Sequence, residues 1–245
     1  MRAKAKTAPA RQVTASRFSQ RLRALGDPAK ARVLQSFFKT GPGQYAEGDR
    51  FIGVNVPVIR GLVREFGAML PQEALRLVQS PIHEERLGGL LLWVRAYEEG
   101  GEVERTRIFE LYLAHTQHIN NWDLVDLTAP HIVGGSLPAS STGLLSKLSK
   151  SPVLWERRIA VLATFAFIRQ GRFAPSLALC RALLKDPHDL MHKACGWMLR
   201  EIGKRDRMVL SGFLDRYATN MPRTMLRYAL EHYSKPDRLR YMRRA

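Results

Sequence analysis

Acidic residues are scarce in this chain: 22 Asp and Glu stand against 39 Lys and Arg, a formal charge of +17 over 245 residues. An excess this large is either matched by an anionic partner or tolerated as self-repulsion. Nucleic acid is the first such partner to consider, ahead of a membrane surface or a ribosome. Cysteine is scarcer still. Cys180 and Cys195 are the only two, with no CxxC and no paired Cys/His spacing. His83, His131 and His192 do not supply a metal-ligand spacing either. A zinc module and a disulfide framework are therefore not expected, and a reducing, intracellular setting fits best. No apolar run reaches about 18 residues, so no transmembrane helix is expected. Strand-like alternation with turn dipeptides is nearly absent, which argues against a sheet-based fold. A nuclease centre needs several clustered carboxylates, and Asp123 with Asp126 alone is weak support for one.

What the chain does have is helical periodicity. Hydrophobic residues make up 45% and are spread throughout, enough for a sizeable core. They recur at helical spacing in Pro57–Phe66, Glu84–Tyr97, Val103–Ala114, Trp122–Ala129, Leu154–Ile168, Ser176–Leu184, Leu190–Ile202, Met208–Tyr217 and Arg223–Tyr233. Pro and Gly separate them at Gly67–Pro71, Gly100–Gly101, Gly134–Pro138, Gly171 and Pro187. Thr40–Asn55, with Gly41, Gly43, Gly48 and Gly53, reads as an ordered loop instead. Met1–Arg17 carries five cations and no acid, and it lacks the apolar centre of a secretory signal. The expected organisation is a flexible basic arm over residues 1–16 and one helical domain over 17–245.

The helices also recur in register. Arg86, Trp122, Arg158, Lys193 and Arg223 each stand near the start of an apolar helix, at intervals of 36, 36, 35 and 30 residues. A helix pair of that period is the unit of an α-solenoid. The fold class expected is thus all-α, a solenoid of helical repeats. Equivalent positions of successive repeats line up on one face, and here they are cationic or aromatic. That predicts a curved, basic trough.

Two segments concentrate chemistry. In Leu190–Lys204, Lys193, Trp197, Arg200 and Lys204 fall at i, i+4, i+7 and i+11 and share a stripe. The stripe is either a surface for phosphate and sugar, or a Trp half-buried under Lys and Arg stems. In Asn120–Asp126, Asn121 suits an N-cap and Asp123 the first turn, which makes Asp123 structural. Asp126 lies one turn beyond Trp122, on the same face as the basic column. An acid there repels an anionic partner, so it points to chemistry or to an ion pair with an Arg of the next repeat. Arg158, in Trp155-Glu156-Arg157-Arg158, is a candidate for that pair, for a phosphate clamp, or for both.

Several motifs in order carry a resemblance: Asn55-Val56-Pro57-Val58-Ile59-Arg60, Asn121-Trp122-Asp123-Leu124-Val125-Asp126, Trp155-Glu156-Arg157-Arg158-Ile159-Ala160, Lys193-Ala194-Cys195-Gly196-Trp197-Met198-Leu199-Arg200-Glu201, and Met221-Pro222-Arg223-Thr224-Met225-Leu226-Arg227. The chain, from about residue 17 to 240, resembles the AlkD-like DNA alkylation repair family. The resemblance implies a HEAT-like repeat solenoid that cradles duplex DNA. It also implies a monofunctional glycosylase for N3- and N7-alkylated purines, without metal or other cofactor. It carries the catalytic roles onto Trp122, Asp126, Arg158 and Trp197. Arg86, Arg157, Lys193, Arg200, Lys204, Arg223 and Arg227 are the candidate DNA contacts. An intracellular, nucleoid-associated monomer is expected. The rival readings are a non-catalytic repeat protein that binds distorted or branched DNA, and a helical scaffold for other proteins.

Overall fold

The apolar periodicity is realised as helix after helix. The computed structural model describes residues 13–138, 140 and 142–243, and most of them are α-helical. The basic arm's first twelve residues lie outside that range. The chain divides into two compact units, residues 1–93 and 94–245.

In the first unit, α1 (Ala15–Arg23), α2 (Pro28–Phe37), α3 (Val56–Glu65) and α4 (Pro71–Val78) precede the start of α5 (His83–Glu99). Helix α1 begins before the expected limit of the arm. Thr14 caps it, and Glu73 accepts the N–H of Ala15 at 2.9 Å. Phe18 and Leu22 are fully buried, with Phe18 edge-on to Phe66. The expected break at Gly67–Pro71 ends one residue inside a helix, because Pro71 is the first residue of α4, where a missing N–H costs nothing.

The glycine-rich loop between α2 and α3 is ordered by the charged start of α5. The buried Glu84 carboxylate accepts the N–H groups of Ile52, Gly53 and Val54 at 3.0, 2.8 and 3.2 Å. Gly53 is required twice over: its φ is +85°, and a Cβ would stand 2.1 Å from the Asp27 carbonyl oxygen. Asp49 accepts from His83 Nδ1 at 2.8 Å and from Arg86 Nη2 at 2.5 Å, all three being buried.

The second unit runs through α6 (Glu102–Ala114), α7 (Trp122–Asp126), α8 (Ala129–Ser136), α9 (Gly143–Leu148), α10 (Leu154–Ala163), α11 (Phe165–Arg169), α12 (Ala174–Ala182), α13 (Asp189–Gly203), α14 (Arg207–Tyr217), α15 (Arg223–Ala229) and α16 (Lys235–Met242). It is built as two rows. Helices α8, α10, α13 and α15 pack successively on one another, and α6, α9, α12 and α14 pack behind them. The fold is all-α helical repeat. Of the residues read as one register, Arg158, Lys193 and Arg223 fall on α10, α13 and α15 of the front row, Trp122 falls on α7, which packs on α10, and Arg86 lies in the first unit. Within α13, Met191, Met198, Leu199 and Ile202 are fully buried. Each such side chain contributes roughly 1.5–3 kcal/mol of burial.

Three expected helices are interrupted. Trp122–Ala129 stops at Asp126, because Pro130 has no N–H to return to the Asp126 carbonyl and instead sits in the first turn of α8. Leu154–Ile168 is divided at Thr164, whose hydroxyl donates to the Val161 carbonyl at 2.6 Å. Arg223–Tyr233 ends at Ala229. Conversely, Gly134 and Gly135 do not break a helix; they belong to α8. A Cβ on Gly134 would meet the Ala163 carbonyl oxygen at 2.2 Å, so this glycine lets two helices approach. Gly196 does the same in α13, where a Cβ would lie 2.5 Å from the Met225 carbonyl oxygen.

Candidate active site

Asn121 starts the site. It caps α7 in extended conformation, and its Oδ1 accepts the N–H of Trp122 at 2.8 Å. One turn later Asp126 occupies the last position of the helix, on the face of Trp122. Helix α10 packs against both α7 and α13 and presents Arg158 between them. Arg158 Nε and Nη2 donate to the two oxygens of Asp126, each at 2.8 Å. Its Nη1 donates to the Leu190 carbonyl at 2.6 Å. The guanidinium therefore ties the end of α7 to the start of α13.

The pair is nearly enclosed: the Arg158 side chain is 5% exposed and that of Asp126 12%. Burial pushes the Asp126 carboxyl above the usual carboxylate range. The Arg158 charge and hydrogen bonds pull it back without cancelling the rise, to which Asp123 adds. Asp123 is itself buried, and its Oδ1 accepts the N–H of Leu124 at 2.9 Å. That is a helix-start role, distinct from the Arg-paired Asp126.

Trp197 stands on α13, seven residues after Leu190. At 1.5 Å per residue that is roughly 10 Å along the same face. It is half-buried, its ring centroid 6.0 Å from that of Phe165. Its Nε1 donates to Glu201 Oε1 at 3.2 Å. Glu201 also takes Lys204 at 2.7 Å and Arg205 at 3.4 Å, and Arg200 Nε lies 3.8 Å away. Burial pushes the Glu201 carboxyl up, but Lys204, Trp197 and Arg200 outweigh it and hold it below the usual range.

The candidate DNA contacts divide sharply. Arg86 is 4% exposed and spends its donors on Asp49 and the Ser80 carbonyl, inside the first unit. Arg157 donates to Asp186 and to the carbonyls of Ser151 and Pro152. Both arginines are thus engaged within the fold, although Arg86 Nε is buried without a hydrogen-bond partner. Lys193 is paired with Asp189 at 2.8 Å, Lys204 with Glu201, and Arg200 with Glu231. Arg223 is exposed and donates to the Met242 carbonyl at 3.0 Å. Arg227 is exposed, with no polar partner among the described residues.

Sequence reasoning missed the acids that restrain this stripe. Glu201 follows Trp197 by four residues, and Asp189 precedes Lys193 by four. Both were readable as i, i+4 neighbours had carboxylates been sought beside the cations. Glu231 lies 31 residues from Arg200, and no local pattern signals it.

A stack of paired helices, with an acid–arginine pair between two tryptophan-bearing helices, defines a helical-repeat protein. The family model described as DNA alkylation repair enzyme matches residues 18–233, and the chain belongs to that family. Among solved structures, the predicted DNA alkylation repair enzyme from Enterococcus faecalis matches with a TM-score of 0.65 at 15% identity. That match covers 86% of this chain and 97% of the other. A comparison with curated proteins found no match. No helix among the described residues is long and apolar enough to cross a membrane.

Proposed function

We propose that this protein binds duplex DNA and hydrolyses the N-glycosidic bond of N3- and N7-alkylated purines. Alkylation at either nitrogen makes the purine cationic and a good leaving group. As the C1′–N bond breaks, its electron pair leaves with the base and positive charge develops at the sugar. Water then adds its oxygen to C1′ and releases a proton to the surrounding solvent. The observation that carries the reading is the Asp126–Arg158 pair, 12% and 5% exposed, on the face of Trp122. A carboxylate held there by two 2.8 Å hydrogen bonds is preorganised to offset charge at C1′ and to orient the water. Trp122 and Trp197 supply π faces for a cationic sugar. Arg158 acts by holding Asp126; its commitment to Asp126 and Leu190 leaves the phosphate contacts to Arg227, Arg223 and the acid-paired cations of α13. The test is incubation with duplex containing N7-methylguanine. Release of free base with an intact abasic strand is expected, and binding without release would favour the non-catalytic reading.

A further inference from the structure

The back row of the second unit carries a second surface. Helices α12 and α14 both pack on α13 and leave between them a groove of about 470 Å³. Leu177, Met208, Val209 and Phe213 give it an apolar lining, and Arg181 and Arg216 stand in its wall. No carboxylate lines it. Both arginines are exposed and lack a polar partner among the described residues. This contrasts with α13, whose cations are each paired with an acid. A neighbouring groove of about 300 Å³ between α9 and α12 shares the Ala178 wall and again has a cation, Lys150, and no acid.

Met208 is 83% exposed, on a helix whose Leu210, Phe213 and Leu214 are buried. An exposed thioether beside an apolar furrow is an adaptable contact surface. A phosphate backbone gains nothing from Leu177, Val209 and Phe213, whereas an amphipathic helix can place its apolar face on them. The two unpaired guanidinium groups then require acidic residues along that helix.

We infer that the α12–α14 groove docks an acidic amphipathic helix of another protein. The groove is lined by none of Trp122, Asp126, Arg158 and Trp197, so the inference does not depend on the glycosylase reading.

The test uses the full chain and a fluorescent synthetic peptide of about 16 residues, long enough to span the furrow. Its Leu and Phe fall at helical spacing, with Glu on the remaining face. A scrambled peptide of identical composition is the control for bulk attraction to a +17 protein. Saturable anisotropy at 0.15 M salt is expected for the patterned peptide alone. Arg181→Glu with Arg216→Glu should weaken it at least about tenfold, and Met208→Glu should also weaken it. These side chains are exposed, so the variants should keep the parent's Tm. Gly212→Cys supplies a second readout, since a Cβ there meets nothing within 4 Å and both native cysteines are buried. Its thiolate should attack a patterned peptide whose single Cys is activated as a 2-thiopyridyl disulfide, forming the protein–peptide disulfide and releasing thiopyridone, and should not react at that rate with the scrambled form. Equal binding of the scrambled peptide, or unchanged binding by the variants, would overturn the inference. So would an equal loss of unmodified duplex affinity in the charge-reversed variant, which would make the groove a nucleic-acid surface.

Discussion

Asp126 and Arg158, 32 residues apart in sequence, face each other through two parallel hydrogen bonds of 2.8 Å. A bidentate arginine pair fixes the direction of a carboxylate as well as its place. Removing one partner from so enclosed a pair leaves the other charge uncompensated. The first two predictions follow from that coupling.

Asp126→Asn should lower single-turnover base release by about 100-fold, because the anion that offsets charge at C1′ is gone. Affinity for unmodified duplex should hold or rise as the Arg158 charge loses its partner. Asp123→Asn is the control. Asn keeps an oxygen for the Leu124 N–H, so release should stay near the parent rate. An inactive Asp123→Asn beside an active Asp126→Asn would reverse the assignment.

The pH profile of base release should have an acid limb above the ordinary aspartate value of about 3.9. Burial raises the Asp126 carboxyl, and below its pKa the group is neutral and cannot offset a cation. The limb should vanish from the residual activity of Asp126→Asn. Stability should show the opposite sign at Asp49, which burial pushes up but His83 and Arg86 hold at about 2. Its contribution is present above the unfolded carboxyl value and lost as pH falls through about 2. On the order of 2 kcal/mol should disappear between pH 4 and 2 in urea titrations, and Asp49→Asn should remove that part of the dependence.

Glu201→Gln should tighten binding to unmodified duplex, because Lys204, Arg205 and Arg200 lose the carboxylate that restrains them. The log–log salt dependence should steepen by roughly 0.9 for each additional phosphate contact. Trp197→Ala should reduce excision more than binding. A lowered Tm with unchanged specific activity would instead make the indole a packing group.

Arg227→Ala and Arg86→Ala should separate surface from core. Arg227 is exposed and has no polar partner among the described residues, so its loss should weaken duplex binding and flatten the salt slope by about 0.9 at constant Tm. Arg86→Ala leaves the buried Asp49 with His83 in place of two cationic partners and should cost up to about 3 kcal/mol of stability, with an unchanged slope in the folded protein.

The helical class and the succession of Arg158, Lys193 and Arg223 along one row were legible because apolar periodicity and a spacing of some 30 to 36 residues are local or quasi-repetitive signals. Trp122 and Asp126 could be placed together because four residues make one turn. What could not be read was which cations are spoken for. Arg86 and Arg158 occupy equivalent positions in the pattern, yet each is buried against an acid on another element, Asp49 in one case and Asp126 in the other. Such pairings are tertiary and leave no spacing behind. The glycines misled for a related reason. Gly134 reads as a breaker because its use, clearance for a neighbouring carbonyl, lies on another helix.

Gly196 turns that clearance into a ruler. Its missing side chain sets how near α13 comes to α15, and Trp197 is the next residue along α13 while Arg227 stands on α15. Gly196→Ala would force the two backbones apart, because a Cβ there would lie 2.5 Å from the Met225 carbonyl oxygen, and would shift the indole relative to α15. A saturation screen for activity would then score this position beside Asp126 and Trp197, although it offers no atom for chemistry. The tolerance of the site to change is decided partly by an interval between helices, and a hydrogen atom holds that interval.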